Sequence, residues 1–493
     1  MRWTVAQIAD ALGVMIPAGV AADTTATGVS IDSRTIQPGE LFIAIHGPRH
    51  DGHEFISKAL DRGAPAAVAD GGRVAGLSVD VRRKVLGVDD TLAALQKLAS
   101  RACEVWRKGT AHRRRLIGAV AGSVGKTTTK EILAALVGSR YRVLKTQGNL
   151  NNEYGLPLTL LKLDDEYDAA IVELGMSHTG ELAKLTQIAR PDVGVITRVA
   201  VEHLEFFSSI DEIAMAEREL IENLPWPDAA AVLNADDERV ARFAEVARGR
   251  VIRFGAKPPA EFRAEKIEER GIAGAAFDFV SPAGRSRLES PLIGKHNVMN
   301  AVAALAAASV WGIGSTEAKE VFPALTPADK RGEVVRFEEG FTVINDSYNS
   351  SPTALGALIE LLAATPGYQR RILAAGEMLE LGPSSRELHE ECGRLAAAQK
   401  SIDWIFGVQG HAADFVNAAV AAGQSKERAH FFQSSQEAAS AIEKFMRPGD
   451  LMLLKGSRGV KMEKVLEAID ALHRRANAGA PVEALGIGSK GRG

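Results

Sequence analysis

One short segment restricts the possible folds of this chain more than any other. It stands between the apolar run Leu116 to Ala121 and a stretch whose apolar residues repeat with a helical period. Backbone N–H groups and a helix N-terminus meet phosphate oxygens where a strand turns through glycines into a helix. The segment therefore predicts a phosphate-binding loop within an α/β sheet. It consists of Gly122, Ser123, Val124, Gly125, Lys126, Thr127 and Thr128.

The side chains of this loop indicate which ligand it binds. Lys126 can neutralise phosphate charge, and the hydroxyl of Thr127 can hold magnesium. Val120 occupies the position of the first glycine in the longer Walker pattern, so the loop has the compact GxxGKT form. The alternative is a glycine-rich turn that only caps a helix, which does not require both Lys and Thr in register. The loop alone therefore predicts a phosphorylated ligand, with magnesium at Thr127.

Two further candidates follow neighbouring predicted strands. Glu173 comes directly after the apolar run Ala169 to Val172, where a carboxylate can bind magnesium directly or through water. Its alternative is a solvated strand end. His203 closes the segment that starts at Val193 and is expected at the same sheet edge. An isolated histidine is usually a surface or packed residue. A functional role for His203 is therefore predicted only if neighbouring residues also indicate a site.

The helix after His203 provides evidence for such a site. Glu217 falls on the apolar stripe of this helix, whereas Arg218, Glu219 and Glu222 are predicted on its charged face. An inward carboxylate is costly unless it is paired or bound to a cation. A second magnesium or a buried arginine satisfies this requirement equally well, and both alternatives stay open.

The order of predicted elements indicates an α/β protein of three domains. We predict a small α/β domain over residues 1–107, a central parallel-sheet domain with the phosphate loop over 108–313, and a second βα series over 314–475. Short alternating segments from Phe262 to Leu292 predict an antiparallel insertion, and Ala301 to Trp311 predicts a buried helix. Residues 476–493 lack periodicity and are predicted to be a disordered tail.

Composition excludes several classes of function. The chain carries 59 Lys and Arg against 62 Asp and Glu, so it has no large positive field for nucleic acid. Cys103 and Cys392 are too far apart for a thiolate metal site and give no disulfide framework. The amino terminus lacks a secretory pattern, and no apolar run reaches the length of a membrane span. We therefore expect a cytoplasmic monomer without membrane insertion.

Several motifs resemble those of one family along the chain to about Leu472. The chain is similar to the Mur ligases, ATP-dependent amide-forming enzymes of cell-wall synthesis. The motifs are IDSR at 31–34, PGELF at 38–42, DGH at 51–53, GNLNN at 148–152, ELGM at 173–176, NADD at 234–237, GKHNVMN at 294–300, NDSYN at 345–349, EMLELG at 377–382 and KGSR at 455–458.

The resemblance implies both an architecture and a reaction. It implies a uridine-nucleotide-binding domain, a central ATPase-like domain and a Rossmann-like carboxyl-terminal domain. It also implies that ATP drives the joining of D-alanyl-D-alanine to UDP-N-acetylmuramoyl-tripeptide through an acyl phosphate, giving a precursor of peptidoglycan. Both substrates are small molecules.

The resemblance also implies roles for individual residues. Thr127 and Glu173 are expected at the magnesium between the ATP phosphates, and His203 with Glu217 at a second cation. The other expected contacts are Asn297, Arg331 and Asp346 for the nucleotide, Ser33 and Arg34 for the uridine diphosphate, Asn151 and Asn152 for the sugar-peptide, and Lys455 and Arg458 for the dipeptide. The alternative for Lys455 and Arg458 is a structural cap of a turn.

Two positions depart from the family pattern. Glu217 stands where relatives often have a lysine, which is carbamylated in several of them, and Ala121 stands where threonine is usual. A glutamate supplies a carboxylate without carbon dioxide, although its side chain is shorter.

Two rival functions predict different features. A related ligase that adds the third amino acid usually carries an Asp-Asn-Pro-Arg motif, which is absent here, and a folylpolyglutamate synthetase is a second relative. A nucleotide switch needs neither a uridine-binding module nor His203 and Glu217.

Overall fold

The computed structural model describes residues 2–47, 50–109, 115–202 and 204–476. In these residues the chain forms three α/β units, each built around its own main sheet. The predicted fold class is therefore observed. His203 lies outside the described residues, as does the predicted tail beyond Ala476.

The first unit is the smallest. Its strands are β1 (Trp3–Thr4), β2 (Thr25–Ala26), β3 (Gly28–Ser30), β4 (Glu40–Ile43), β5 (Ala67–Asp70) and β6 (Val85–Val88). Its helices are α1 (Val5–Leu12), α2 (Ile56–Asp61), α3 (Gly71–Val74), α4 (Val79–Arg82) and α5 (Thr91–Lys108). Strands β3 to β6 form a parallel sheet in sequence order.

Helix α5 joins the first unit to the next. Asp90 caps its N-terminus by accepting hydrogen bonds from the N–H groups of Leu92 and Ala93. The indole N–H of Trp106, near the other end, donates to the carbonyl of Tyr167 at 3.0 Å. Apolar residues of both units share one hydrophobic core along this helix. The first unit is therefore packed against the central sheet.

The central unit is the largest. Its strands are β7 (Leu116–Ala121), β8 (Val143–Lys145), β9 (Ala169–Glu173), β10 (Val193–Ile196), β11 (Ala230–Asn234), β12 (Arg250–Gly255), β13 (Phe262–Glu269), β14 (Ala275–Ser281) and β15 (Gly284–Ser290). Its helices are α6 (Lys126–Gly138), α7 (Gly155–Leu160), α8 (Glu181–Ala189), α9 (Ile210–Glu222), α10 (Glu238–Arg242), α11 (Lys295–Ala308) and α12 (Ser315–Val321).

The strand order of the central sheet opens a crevice beside β7. The order is β15-β14-β13-β12-β11-β10-β7-β9-β8. The chain runs from β7 to β8 and β9 on one side and then crosses to β10 on the other. Ligands of open α/β sheets bind outside the carboxyl ends of the strands at such a switch point. The loop after β7 lies at this point.

All residues of β7 are buried, and its side chains alternate between two cores. Ile117, Ala119 and Ala121 face the core shared with the first unit. Leu116 and Val120 face the opposite core, which also contains apolar residues of α6 and α11. Packing on both faces fixes the strand from which the phosphate loop leaves the sheet.

Two expectations for this unit are met with small changes. Strands β13, β14 and β15 are antiparallel to one another, as the alternating pattern predicts, and they extend the edge of the main sheet. The predicted helix over Ala301 to Trp311 begins earlier, at Lys295, and ends in a short 3₁₀ turn at Trp311.

The third unit has a mainly parallel sheet of order β16-β17-β21-β18-β19-β20. Its strands are β16 (Glu333–Arg336), β17 (Thr342–Asp346), β18 (Arg370–Gly376), β19 (Trp404–Val408), β20 (Ala429–Phe432) and β21 (Asp450–Lys455). Its helices are α13 (Pro352–Ala364), α14 (Ser385–Ala398), α15 (Ala412–Ala421), α16 (Ser435–Ile442) and α17 (Glu463–Leu472). Only β16 runs antiparallel to its neighbour.

Among the described residues, no helix combines the length and the apolar character that a bilayer span requires.

Replacing Trp106 tests the packing of α5. Trp106 is 3% exposed, so Trp106→Ala should lower the free energy of unfolding by about 3–5 kcal/mol through cavity formation. Trp106→Phe keeps most of the ring volume but loses the hydrogen bond to Tyr167, and should cost about 1–2 kcal/mol. Urea titration followed by circular dichroism measures both. Equal midpoints for the wild type and Trp106→Ala would show that α5 does not depend on this contact.

Candidate active site

A large cavity lies between the central and third units. Its volume is about 910 Å³, and its wall includes the phosphate loop and residues at the carboxyl ends of β9, β17 and β21. Loops from two separate sheets thus contribute to one site.

Glycines shape the phosphate loop by close approach. Gly125 has φ +89°, and a Cβ atom there would lie 2.3 Å from Asn300 Oδ1. Gly122 has φ +119°, and a Cβ atom there would lie 2.2 Å from Thr197 Oγ1. Side chains other than hydrogen are excluded at both positions by sterics and by the left-handed backbone.

The segment after β10 braces the loop. The N–H of Ser123 donates to the carbonyl of Arg198 at 2.7 Å, and the hydroxyl of Thr197 donates to the carbonyl of Val124 at 2.7 Å. Sequence reasoning did not single out Thr197 or Arg198. Their contribution depends on β10 pairing with β7, which the sequence predicts only as a shared sheet.

Lys126 lies folded over its own loop and faces three carboxylates. Its ammonium group donates to the carbonyls of Gly122 at 2.5 Å and Ser123 at 3.0 Å, and lies 3.7 Å from Glu202 Oε1. Burial is the largest influence and by itself lowers the pKa of Lys126. The carboxylates of Glu202, Glu217 and Glu173 outweigh it, so the pKa of Lys126 is raised above its ordinary value. Lys126 therefore keeps its positive charge.

Glu202 is a site residue that sequence reasoning missed. It comes six residues after the end of β10, contacts Lys126 and lines the cavity. Its position after a strand of the predicted sheet is a signal for a site residue, but the same signal applies to the adjacent His203. Because His203 lies outside the described residues, its role stays a prediction.

Glu173 presents a carboxylate suited to a hard cation. Its side chain is 3% exposed, and Oε1 accepts from the Asn151 side chain at 2.8 Å. Its backbone N–H donates to the Thr146 hydroxyl at 3.0 Å. The other carboxylate oxygen, Oε2, is buried and has no hydrogen-bond partner among the described residues. Such an atom fits a divalent cation, since a buried anionic oxygen needs a partner.

A Mg²⁺ ion bound at Glu173 can take its other ligands from the substrate and from water. The part of the chain that the structure describes contains no group of three His, Cys, Asp or Glu placed to hold a metal ion. Thr127, at the first turn of α6, and Glu173 both line the cavity. Mg²⁺ usually binds through one or two protein ligands, water and phosphate oxygens. The residues present fit that arrangement.

Helix α9 turns two glutamates inward. Glu217 is 1% exposed and raises the pKa of Lys126, so it lies on the inner face, as the helical pattern predicts. The prediction that Glu219 lies on the charged face of this helix, away from its buried side, is wrong. Glu219 is 8% exposed and accepts hydrogen bonds from the N–H groups of Gly180 at 2.6 Å and Ala183 at 3.1 Å. It caps α8, where a carboxylate is favoured by unpaired amides and the helix dipole.

Asn297 supports the phosphate loop from α11. Its side-chain amide donates to the carbonyl of Ile293 at 2.9 Å, and its Oδ1 accepts from the side chain of Asn300 at 3.0 Å. Asn300 in turn approaches Gly125. Asn297 lines the cavity, so it can also contact a ligand there.

The third unit supplies two arginines that share one aromatic ring. The guanidinium carbon of Arg331 lies 4.1 Å from the ring centroid of Tyr348, and that of Arg458 lies 5.6 Å from it. All three residues line the cavity. The ring stabilises both cations at the wall of the cavity.

Lys455 and Asp346 form a buried ion pair beside these arginines. Lys455 contacts Asp346 and donates to the carbonyl of Asn349 at 2.9 Å. Its side chain is 2% exposed, whereas that of Asp346 is 17% exposed. Lys455 therefore fixes the loop after β17 and also lines the cavity.

The remaining residues predicted to contact substrate lie in two parts of the molecule. Asn151 and Asn152 line the cavity, but Asn152 Oδ1 also accepts from the N–H of Gly155 at 2.9 Å and so orders the start of α7. Ser33 and Arg34 are in the first unit and do not line this cavity. Arg34 pairs with Asp32 at 2.8 Å, and hydrogen bonds from Arg34 lower the pKa of Asp32 to about 2.

Family models match most of the chain. The model described as Mur ligase family, catalytic domain, matches residues 25–102. The model described as Mur ligase middle domain matches 120–308, and that of the Mur ligase, glutamate ligase domain, matches 330–458.

Curated relatives and solved structures match over nearly their whole length. The UDP-N-acetylmuramoyl-tripeptide–D-alanyl-D-alanine ligase of Bacillus subtilis is 34% identical, covering 90% of this chain and 93% of the relative. That of Escherichia coli is 32% identical, covering 91% and 94%. A crystal structure of MurF from Acinetobacter baumannii has a TM-score of 0.84 at 29% identity, covering 95% of this chain and 98% of that chain. MurF from Thermotoga maritima in complex with ADP has a TM-score of 0.76 at 28% identity, covering 90% and 97%.

Gly125, which precedes α6, and Gly138, which ends it, form a matched pair for testing the phosphate loop. Gly125→Ala should weaken binding of a non-hydrolysable ATP analogue at least about tenfold, because the methyl group collides with Asn300 and the backbone is left-handed. Gly138, at the other end of α6, has no atom within 4 Å of an added Cβ, so Gly138→Ala should bind like the wild type. Isothermal titration calorimetry measures both affinities. Unchanged binding by Gly125→Ala would separate this loop from the nucleotide.

Proposed function

The chain belongs to the Mur ligase family, and on that premise we propose that it joins D-alanyl-D-alanine to UDP-N-acetylmuramoyl-tripeptide at the expense of ATP. One observation connects the proposed reaction to the cavity of this chain. The phosphate-loop Lys126, surrounded by carboxylates of the central unit, shares a cavity with Arg331 and Arg458 of the third unit. A nucleotide and two acceptors can therefore meet there.

The proposed reaction has two chemical steps. The terminal carboxylate of the tripeptide attacks the γ-phosphorus of ATP, and the bond to ADP breaks, which leaves an acyl phosphate. The amine of the dipeptide then attacks the acyl carbon, the amide bond forms, and phosphate leaves with the bonding electron pair. The amine loses its proton to solvent or a basic group. This product is a precursor of peptidoglycan.

The residues act mainly by positioning and charge neutralisation. A carboxylate and a triphosphate repel each other, so their approach requires fixed positive charge. Lys126 supplies that charge from the loop, and Arg331 supplies it from the third unit. The amides of the loop at 122–128 and the N-terminus of α6 orient the phosphates.

Magnesium, when bound, stabilises negative charge on the phosphate oxygens. Thr127 and Glu173 would hold it, with Asn151 keeping the Glu173 side chain in place. Glu217, Glu202 and His203 are the candidates for a second cation near the acceptor carboxylate. In this proposal Glu217 contributes a permanent carboxylate where relatives often have lysine.

The three predicted domains divide the substrates among them. Residues 1–107 bind the uridine diphosphate through Ser33 and Arg34, far along the substrate from its reacting carboxylate. Residues 108–313 bind ATP, with Asn297 at the nucleotide, and residues 314–475 receive the dipeptide near Arg458. Closing the third unit over ATP brings Asp346 and Arg331 to the nucleotide. ATP and nucleotide-linked sugars are cytoplasmic metabolites, so we place the reaction in the cytoplasm.

A coupled phosphate-release assay tests this function and its rivals. The wild type should release phosphate with ATP and Mg²⁺ only when both the tripeptide nucleotide and D-alanyl-D-alanine are present. A third-residue ligase or a folylpolyglutamate synthetase would require other acceptors, and a nucleotide switch would need neither. Phosphate release without acceptors would contradict the proposal.

Lys126→Ala should reduce that turnover by about a thousandfold or more, because one fixed charge at a transferring phosphate is lost. Lys319→Ala, at an exposed lysine of α12, is the matched control and should retain full activity. Thermal unfolding of both variants checks that the fold is intact. Retained turnover in Lys126→Ala would remove this residue from the mechanism.

Glu217→Gln keeps the volume of the buried side chain and removes its charge. It should lower kcat/KM at least about tenfold and increase the magnesium concentration needed for half-maximal rate, without rescue by bicarbonate. Glu222→Gln on the same helix, where Glu222 pairs with Arg218 at 2.8 Å, should act like the wild type. Equal effects of the two changes would assign Glu217 only a structural role.

A further inference from the structure

A buried histidine outside the cavity binds the backbone of the cavity wall. His389, on α14, is 1% exposed and is absent from the residues that line the cavity. Its Nε2 accepts from the N–H of Met378 at 2.9 Å, and its Nδ1 lies 2.6 Å from the carbonyl of Ser385. An amide can only donate and a carbonyl can only accept. The ring is therefore neutral, with its proton on Nδ1.

The histidine anchors a loop that we call the wall loop, residues 377–382. The N–H of Leu379 donates to the Ser457 hydroxyl at 2.9 Å, and the N–H of Ser457 donates to the carbonyl of Glu377 at 3.2 Å. Leu379 and Glu380 line the cavity on the other side. The wall loop thus stands between His389 and the space that receives ligands.

The wall loop also meets the central unit. The N–H of Glu205 donates to the carbonyl of Glu380 at 3.2 Å. A Cβ atom at Gly382 would lie 2.9 Å from the carbonyl oxygen of Leu204. Both contacts are close in sequence to Glu202, which faces Lys126. The position of the wall loop is therefore coupled to the segment beside the phosphate-loop lysine.

The backbone of the wall loop needs external support. Glu380 has φ +64°, a left-handed conformation that is unfavourable for residues other than glycine and persists only when surrounding contacts impose it. The bond from Met378 to His389 and the bond from Leu379 to Ser457 immediately precede this residue. Loss of the first bond leaves a buried N–H unsatisfied.

We propose that neutral His389 is a positioning residue of the active site, which holds the wall loop in its working shape and releases it on protonation. Protonated imidazole carries a proton on Nε2 and cannot accept from Met378. The kinetic part of this inference rests on the proposed ligase function, whereas the structural part does not.

The surroundings of His389 favour the neutral ring. Burial is the main cause that lowers its pKa below 6.5, and the nearby His411 acts in the same direction. The carbonyl of Ser385, Glu377 and Asp414 raise it but do not outweigh burial. Arg386 lies 3.5 Å from Asp414. The interaction is thus complete above the ordinary histidine pKa of 6.5 and weakens as the pH falls through the lowered value.

Two substitutions separate the hydrogen bond from the titration. His389→Gln offers an amide oxygen to Met378 and does not titrate, so it should stay within about threefold of the wild-type kcat/KM at pH 8. His389→Leu cannot accept and should lose roughly tenfold or more at the same pH. The kcat/KM of His389→Gln divided by that of the wild type should rise at least about twofold from pH 8 to pH 5. His430→Gln, at an exposed histidine of the same unit, should follow the wild-type pH profile.

Hydrogen exchange gives a readout that needs no turnover. Comparing variants at one pH cancels the intrinsic exchange rate. At pH 5, peptides covering 377–382 should exchange faster in the wild type than in His389→Gln, and the two should agree at pH 8. His389→Leu should exchange faster at both values.

The outcomes distinguish the two proposals. A wild type that fails to ligate contradicts the ligase function, while the exchange experiment still tests His389. Equal exchange and equal kinetics for the wild type and His389→Leu would overturn the role of His389. If kcat/KM and hydrogen exchange change with pH in the same way in the wild type and in His389→Gln, the proposed release on protonation is overturned. A His389→Leu protein that does not fold leaves the comparison of wild type with His389→Gln decisive.

Discussion

The balance of charge at the carboxyl edge of the central sheet is the constraint on which the site depends. Lys126 is mostly buried, and such a cation is stable only near opposite charge. Glu202, Glu217 and Glu173 supply that charge and raise the pKa of Lys126. The same carboxylates leave the site ready for a divalent cation, as the Oε2 of Glu173 indicates, since it has no hydrogen-bond partner in the described part of the chain. A triphosphate entering the cavity would exchange these contacts for its own oxygens.

The fold brings these residues together because separate strands end at the same edge of the sheet. Glu173 ends β9, the phosphate loop leaves β7, and Thr197 follows β10, so three neighbouring parallel strands deliver their side chains to one edge. The third unit completes the cavity with Arg331 and Arg458, which the Tyr348 ring holds together. Each sheet provides only part of the site, and the two units meet at the wall loop, where the N–H of Glu205 donates to the carbonyl of Glu380.

Local patterns in the sequence predict much of this structure. The apolar run from Leu116 to Ala121 is observed as β7 without a change of bounds, because buried parallel strands have a continuous apolar signature. The motifs also identify the phosphate loop. Contacts between distant segments are harder to predict. Glu219 looks like a solvated residue of α9, yet it caps α8, since nothing in its own helix encodes that neighbour. Glu202 and His389 were missed for the same reason: their partners, Lys126 and Met378, are brought near only by the fold.

Transfer of phosphate to a carboxylate oxygen is the central chemical claim, and oxygen-isotope tracing tests it most directly. The terminal carboxylate of the UDP-N-acetylmuramoyl-tripeptide is labelled with heavy oxygen and incubated with the protein, ATP, Mg²⁺ and D-alanyl-D-alanine. Mass spectrometry of the released phosphate then follows the label. An acyl phosphate predicts that each phosphate formed with product carries one labelled oxygen from the tripeptide. Amide product accompanied by unlabelled phosphate would contradict this account.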